Sequence, residues 1–460
     1  MTRQLADNLR RSLESTEAAS QVKWFLDKLE VVVEDEQASL AEQVLLNTPG
    51  IEQVLRVQQV RVQPDSLEEI AGHVLAAVKS RIKGKTFVVR ARRKGQHPFN
   101  SQEIERAVGG YLLANGEAKG VDLHAPQVRV ELELENNTLS IVEARMKGLG
   151  GYPLGTQGEA LSLISGGFDS NVASYLTLRR GIKSHFIFFN LGGAAHEIGV
   201  QQVAFYLWRR FARSHRLKFI SIPFEEVVEG LLTEVDDSYM GVMLKRLMLK
   251  AAEQVAEEMG IDVLITGESV AQVSSQTLRN LALIDTATTK LVLRPLAMMD
   301  KPEIIQLADH IGVRAFAETM PEYCGVISRN PVTHGSFKRL AQVEKKFDFS
   351  RLERAIANKQ VYAVDELVKT INDRQEVEIV HKVFDGAEVI DIRKPEEAQA
   401  RPLPEAHHHI PFYQLKQRFP SLPQDRVYLL YCTQGVLSQL HGEHLQAAGF
   451  KNIKVYRPEL

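Results

Sequence analysis

Only two of the 460 residues are cysteine, Cys324 and Cys432, which excludes a disulfide-stapled secreted scaffold and a four-cysteine zinc site. No apolar run approaches the length that spans a bilayer, and the opening Met1-Thr-Arg-Gln-Leu-Ala-Asp7 lacks the apolar core of a signal peptide. A cytoplasmic location with no membrane partner is therefore expected. Charge of one sign is missing as well: 56 Lys and Arg stand against 58 Asp and Glu, a net charge of −2 that argues against non-specific coating of nucleic acid. The Walker phosphate-loop pattern is absent too. What remains, 44% apolar and 25% charged residues, is globular, and the length suits about three domains.

The mean charge hides a patch. From Lys79 to Lys94 the chain carries Lys79, Arg81, Lys83, Lys85, Arg90, Arg92, Arg93 and Lys94 with no acid among them. Without further context such a run is a solvated basic face. The segments around it predict helices at the N-terminus, over 38–46, 66–79 and 101–113, and strands over 29–33 and 86–92. Ser66 is the expected cap of the third helix, and residues 128–142 read as a hairpin turning on Asn136-Asn137, because apolar and charged residues alternate on both sides. Gly148, Gly150, Gly151, Pro153 and Gly155 break that pattern and predict a boundary.

Beyond it, strands and helices alternate. Strands are expected at 159–164, 184–189, 218–222 and 262–266, with helices around 196–213, 239–258 and 301–310; this predicts a doubly wound parallel sheet. Ligands of such sheets sit at the carboxyl ends of the strands, where Ser165, Asn190 and Gly267 fall. Residues 331–372 are charged and read as a helical connector, and 373–460 as a second small α/β unit.

One decapeptide carries the chemistry. Leu161-Ser-Leu-Ile-Ser-Gly-Gly-Phe-Asp-Ser170 is an apolar strand, a glycine turn and a helix start. Free amides at the start of a helix and the positive end of its dipole favour phosphate, and Gly166 and Gly167 let it approach. Ser165 and Ser170 offer hydroxyl donors, and a carboxylate at Asp169 beside phosphate implies magnesium between them. The plainer reading is an ordinary capped strand-to-helix connection. Near the C-terminus, Cys432-Thr-Gln-Gly-Val-Leu-Ser438 follows an apolar strand, with Asp391-Ile-Arg393 upstream. A loop wrapped around one cysteine, with a helix starting behind it, favours a thiolate or persulfide anion, whereas a lone cysteine is otherwise a small buried hydrophobe. Cys324, between Pro321 and Gly325, reads as an exposed thiol. His407-His-His409 predicts no metal site, since three consecutive side chains do not converge.

Ser165 to Ser170 resembles the SGGxDS loop of the PP-loop ATP pyrophosphatases, and the segment around Cys432 resembles a rhodanese active loop. Together with Asn190-Leu-Gly-Gly-Ala-Ala-His-Glu-Ile-Gly199, Gly267-Glu268, Gln272-Val-Ser-Ser-Gln-Thr277, Arg294-Pro295 and Pro321-Glu-Tyr-Cys-Gly-Val326, the chain resembles the 4-thiouridine synthase family of thiamine biosynthesis, in its long form with THUMP, PP-loop and rhodanese domains. The resemblance implies a multidomain α+β and α/β protein: a partial ferredoxin-like region (1–50), a THUMP RNA-binding domain (51–150), an adenylating PP-loop domain (151–330), a linker (331–372) and a rhodanese domain (373–460). Family members open with a further strand, so one edge of the N-terminal sheet is expected to be missing.

The resemblance further implies ATP with Mg2+ held by Leu163, Ile164, Ser165, Gly166, Gly167, Asp169, Ser170, Lys245, Gly267 and Gln276, and tRNA held by Lys83, Lys85, Arg90, Arg92, Arg93 and Lys94. On chemistry alone Lys245 is also a surface helix lysine and Gly267 a turn glycine. Cys432 is expected to carry a persulfide loaded by a cysteine desulfurase, and Cys324 to pair with it as a redox disulfide. A thiamine sulfur carrier protein is the implied second acceptor, and a homodimer is compatible with the sequence. The implied activity is ATP-dependent replacement of O4 of a tRNA uridine, at position 8, by sulfur. Two rivals stand beside it: a PP-loop amidating or lysidine-type tRNA ligase needing no cysteine, and an RNA-binding sulfur carrier without ATP chemistry.

Overall fold

The computed structural model describes every residue except 17–19, 26–27, 192, 318–330, 368–376, 394, 434–437, 439–440, 443–444, 447 and 459–460. It divides into two compact units, Ile51–Gly150 and Met1–Gly50 with Gly151–Leu460. Their sheets are of the mixed α+β and α/β classes that the patterning predicts.

The chain opens with helix α1 (Thr2–Glu14), strands β1 (Ser20–Trp24) and β2 (Leu29–Val33), and helix α2 (Ala38–Leu46). α1 is amphipathic, with Ala6, Leu9 and Leu13 buried at helical spacing. Leu13, Ala41 and Val44 make a small core under Val22, Val31 and Val33 of the antiparallel β1–β2 pair.

In the unit Ile51–Gly150, helices α3 (Leu67–Ile82) and α4 (Ser101–Asn115) accompany a sheet of β3 (Ile51–Arg61), β4 (Thr86–Lys94), β5 (Gly120–Val121), β6 (Val128–Glu135) and β7 (Thr138–Gly150), ordered β3-β7-β6-β4-β5. Ser66 caps α3 by accepting the Glu69 N–H, and Asn100 and Glu103 close a capping box on α4. Asn136 turns the β6–β7 hairpin in the left-handed region at φ 54°. Two features depart from the sequence reading. β3 is a long edge strand, mostly exposed and polar, so no two-residue alternation announces it. Gly148 lies inside β7 and does not end it: a Cβ there would sit 2.2 Å from the Ile51 carbonyl oxygen.

In the larger unit, β8 (Glu159–Leu163), β9 (Lys183–Asn190), β10 (Lys218–Pro223), β11 (Val263–Ile265), β12 (Leu291–Leu293) and β13 (Gln360–Ala363) form one sheet ordered β12-β11-β8-β9-β10-β13. All pairings are parallel except β10–β13. Its helices include α5 (Phe168–Arg179), α6 (Gly193–Leu207), α7 (Glu225–Glu234), α8 (Met240–Met259), α9 (Leu278–Asp285) and α10 (Lys301–Ile311). The chain winds from β8 outward to β10, then crosses to β11 on the other side, so the switch point lies between β8 and β11.

The expected connector needs correction. The helices Phe337–Glu344 and Ser350–Ala357 bury Leu340, Val343, Leu352 and Ile356 in the same core as Leu161, Ile220 and Leu244, and β13 extends the sheet. These residues read as a linker because their apolar positions are few and spaced between lysines and arginines. The C-terminal sheet, ordered β14-β18-β17-β15-β16, holds β14 (Ile379–Val380), β15 (Ala387–Asp391), β16 (Ala406–His409), β17 (Val427–Tyr431) and β18 (Ile453–Tyr456), all parallel.

Candidate nucleotide site and cysteine loop

The switch point between β8 and β11 is where the predicted phosphate loop lies. Ile164 continues β8 by donating its N–H to the Ile187 carbonyl, so that amide is committed to the sheet, while Leu163 packs half-buried at the core edge. Gly167 occupies the N-cap position of α5 without any side-chain cap, leaving the first-turn amides without a capping acceptor. The two serines that sequence reading offers as ligand donors turn inward instead. Ser170 Oγ lies 2.9 Å from both the Ser165 N–H and the Ser165 Oγ, closing the loop on itself. Gly167 N–H donates weakly to Ser165 Oγ at 3.4 Å, and Asn171 Nδ2 ties to the Gly167 carbonyl at 2.9 Å.

From across the switch point Gly267 presses against the start of α5. A Cβ on it would lie 2.5 Å from Ser170 N and 2.6 Å from Asp169 C, so this position requires glycine for packing rather than for turn geometry. Beside it, Glu268 is buried, and its carboxylate receives Lys245 Nζ at 2.9 Å and Arg294 Nε at 2.8 Å. Burial pushes the Glu268 carboxyl up, but the two cations outweigh it and hold it down at about 2. Lys245, expected at phosphate, is thus engaged with Glu268. Gln276 is buried in a short helical turn, its side-chain oxygen without a protein partner, and the oxygens of Asn171 and Gln272 are likewise unpartnered among the described residues.

Two further residues complete the loop: Lys301, which the sequence reading does not single out, and Gln272, which it names in the Gln272–Thr277 segment without a role. Lys301, at the start of α10, places Nζ 3.0 and 3.2 Å from the two carboxylate oxygens of Asp169, and Gln272 donates to the same carboxylate at 2.8 Å. Lys301 also lies over the Phe168 ring, 5.4 Å from its centre. The Asp169 carboxylate therefore has a resident cation, so its presence beside a phosphate loop does not by itself demand a divalent ion. Asp300-Lys301-Pro302-Glu303 could have been read as a capped helix start, with Asp300 as cap and Glu303 completing the box.

At the end of β17, Cys432 is buried. Its sulfur accepts the Ser438 N–H at 3.3 Å and lies 3.5 Å from Ser438 Oγ. Donors of this kind stabilise a sulfur anion. Asp391 and Arg393 form a buried fork, with Arg393 Nε 2.9 Å from Oδ1 and Nη2 2.5 Å from Oδ2, and the guanidinium stacks over the neighbouring Tyr431 ring. The histidines diverge: His407 accepts the Val389 N–H, His408 meets Glu388, and His409 meets the Arg393 carbonyl. Cys324 lies outside the described residues, so its expected pairing with Cys432 is not on view.

The basic run of the Ile51–Gly150 unit is divided by the strand pleat. Arg90, Arg92 and Lys94 share one face of β4, in register with Glu131, Glu133 and Glu135 of β6, while Arg93 points the other way. Lys94 pairs with Glu133 at 2.8 Å and Lys83 with Glu117 at 2.8 Å, and Arg90 lies 3.7 Å from Glu105. Lys85 and Arg92 are exposed and carry no ion pair among the described residues.

Comparison with known proteins assigns the parts. Residues 155–349 match the model described as "Thiamine biosynthesis protein (ThiI)", residues 64–142 match the THUMP domain, and 365–458 match the rhodanese-like domain. A relative from Marinobacter nauticus, named tRNA sulfurtransferase, is 46% identical over 460 residues, covering 99% of this chain and 95% of its own length. One of the same name from Serratia proteamaculans is also 46% identical with the same coverage. Among solved structures, a 4-thiouridine synthetase–RNA complex with bound ATP superposes with a TM-score of 0.69 at 27% identity, over 78% of this chain and 93% of that one.

Proposed function

This chain belongs to the tRNA sulfurtransferase family, and from that premise we propose that it activates O4 of a tRNA uridine, position 8, with ATP and replaces it by sulfur carried on Cys432. The observation that carries this reading is the uncapped start of α5, braced by Gly267 and flanked by the Asp169–Lys301 pair. Its amides cradle the nucleotide phosphates, and Mg2+ enters with the nucleotide as part of the substrate. Lys301 and the helix dipole offset the charge that develops on the α-phosphate as the uridine oxygen attacks it and the bond to pyrophosphate breaks. O4 is then part of an AMP leaving group.

Cys432 receives its outer sulfur from a cysteine desulfurase, and the amide of Ser438 steadies the resulting anion. That outer sulfur attacks C4 while the C4–O bond to AMP breaks. Cys324 then attacks the Cys432 sulfur, releasing 4-thiouridine and leaving a Cys324–Cys432 disulfide. Alternatively Cys324 attacks first and frees hydrosulfide, which does the same displacement. Either way the sulfane sulfur is reduced by two electrons, two thiols become a disulfide, and an external dithiol must reopen it. Lys85, Arg92 and Arg93 meet tRNA phosphates in this reading. The same persulfide supplies a thiamine sulfur carrier protein, and a tRNA substrate puts the work in the cytoplasm.

The test compares Cys432→Ala with the unaltered chain, using tRNA, ATP and a persulfide donor, by mass spectrometry of the nucleosides. Loss of 4-thiouridine with pyrophosphate release retained supports the reading. Undiminished 4-thiouridine contradicts it and favours a ligase that needs no cysteine.

A further inference from the structure

Several arginines of the sheet-bearing core face acids: Arg246 meets Glu344, Arg294 meets Glu268 and Asp285, and Arg351 meets Glu229 and Glu234. One cluster does not. After α6 the helix continues as a single π-helical turn, Trp208–Ala212, and Arg209, Arg210 and Arg213 project from it and from the residue that follows. Among the described residues none of the three has a carboxylate partner, and neither has Arg11 of α1, whose charge acts on His215 beside them.

Their contacts are to neutral groups. Arg210 donates from Nε to Asn47 Oδ1 at 2.9 Å and from Nη1 to the Ile311 carbonyl at 2.8 Å. Arg213 uses Nε, on the Arg209 carbonyl at 2.6 Å, and among the described residues its two Nη groups have no acceptor. Opposite stand Asn8, Ser12 and Thr48, buried polar residues of the N-terminal helical pair and the turn after it, and with Asn47 they line a shallow cleft with Arg210 and Arg213. Burial pushes the Arg213 guanidinium down to about 10, and Arg209 adds to this. It stays charged at neutral pH, so a half-buried guanidinium with no carboxylate beside it is open to an anionic ligand.

That ligand is not the nucleotide. α6 leaves the carboxyl end of β9, where the phosphate loop lies, and runs back over 15 residues, about 22 Å, to the amino end of β10. The π turn is thus at the amino ends of these parallel strands, opposite the carboxyl ends where Ser165–Ser170 lie. We propose that Arg209, Arg210 and Arg213, beside the cleft that Ser12 also lines, form an anion site that holds a backbone phosphate of the tRNA, a grip separate from the cations of Ile51–Gly150. The proposal rests on the reading of this chain as an enzyme acting on tRNA. Guanidinium forks match phosphate bidentately, and such contacts position a nucleic acid without reading its sequence; the Asn8, Asn47 and Thr48 donors are spent on the Leu154, Gln43 and Val44 carbonyls.

The experiment measures tRNA binding to the full chain by fluorescence anisotropy over a range of KCl concentrations. Its variants are the doubly substituted Arg209→Gln/Arg213→Gln, the single Arg213→Lys, and Lys85→Gln/Arg92→Gln. Each phosphate contact contributes about 0.9 to the slope of log affinity against log salt. The arginine double variant is expected to lose about that much slope and to bind about tenfold more weakly at low salt, with an unchanged melting temperature, while Arg213→Lys keeps most of the slope. An unchanged slope in the double variant overturns the inference, and if Lys85→Gln/Arg92→Gln still weakens binding, the tRNA reading survives it. If neither variant changes binding, the reading of the chain as tRNA-binding fails as well. Stabilisation of the unaltered chain by millimolar inorganic phosphate, lost in the double variant while its tRNA slope stays unchanged, also overturns the inference, because the site then serves a free anion.

Discussion

Lys301 Nζ bridges both carboxylate oxygens of Asp169, 3.0 and 3.2 Å away and 132 residues apart in the chain. The pair joins the start of α10 to the first turn of α5 and puts an ammonium at the phosphate loop. Lys301→Ala is expected to reduce pyrophosphate release on the order of a hundredfold, the scale for losing one preorganised charge at a reacting centre. Stability should change by less than about 1 kcal/mol, since the pair is partly exposed. Quench-flow measurement of pyrophosphate, with urea melts of the same variant, checks both; a large stability loss with normal turnover would make the lysine structural only.

Gly267→Ala forces a methyl group to 2.5 Å from the Ser170 amide nitrogen, and backbone cannot yield as a flexible side chain would. The expected destabilisation is about 1–3 kcal/mol, from overpacking. Displacement of the first turn of α5 should also raise the apparent KM for ATP. Wild-type ATP kinetics in this variant would show that the contact gives way without moving the loop.

Ala271 holds φ +64°, in the left-handed region that disfavours a side chain, one residue before Gln272 and its contact with Asp169. Its N–H donates to the Gln276 carbonyl, which fixes the turn. Ala271→Gly relieves this strain but loosens the unfolded chain, so the net change should fall within about 1 kcal/mol of zero, while Ala271→Val should destabilise by more than that. Urea unfolding of the two variants tests the order.

Acid should destabilise this protein through two histidines. Burial pushes His196 and His215 down to about 4, with Arg11 adding to the effect at His215. The unfolded chain, with ordinary histidines near 6.5, therefore binds protons that the folded chain refuses. Stability is fully present above about pH 6.5 and falls as pH drops toward 4, by at most about 1.4 kcal/mol per pH unit for each histidine. His215→Gln should flatten the fall of melting temperature between pH 7 and 5, and an unaltered profile would mean that the histidine titrates normally.

These relationships mark what the chain makes legible. Ser165-Gly-Gly-Phe-Asp-Ser170 is readable because a strand end, a glycine turn and a helix start are local chemistry. Lys301 is not, because only the winding of the sheet brings α10 to α5. β3 escapes because an edge strand with polar residues on both faces has no period to detect. The segment 337–363 passes for a connector because its buried positions, Leu340, Val343, Leu352 and Ile356, are diluted by exposed cations. The basic run at Lys79–Lys94 looks uniform in one dimension, whereas pleating and the β6 glutamates sort it into paired and unpaired cations.

The account joins nucleotide cleavage at the loop of α5 to sulfur leaving Cys432. The most direct measurement is a single turnover of Cys432 loaded with one isotopically labelled sulfur, in the presence of tRNA and ATP, with AMP and labelled 4-thiouridine counted together. The account predicts equal amounts of each, with formation of both abolished in Asp169→Ala. Label reaching the uridine without a matching amount of AMP would contradict it.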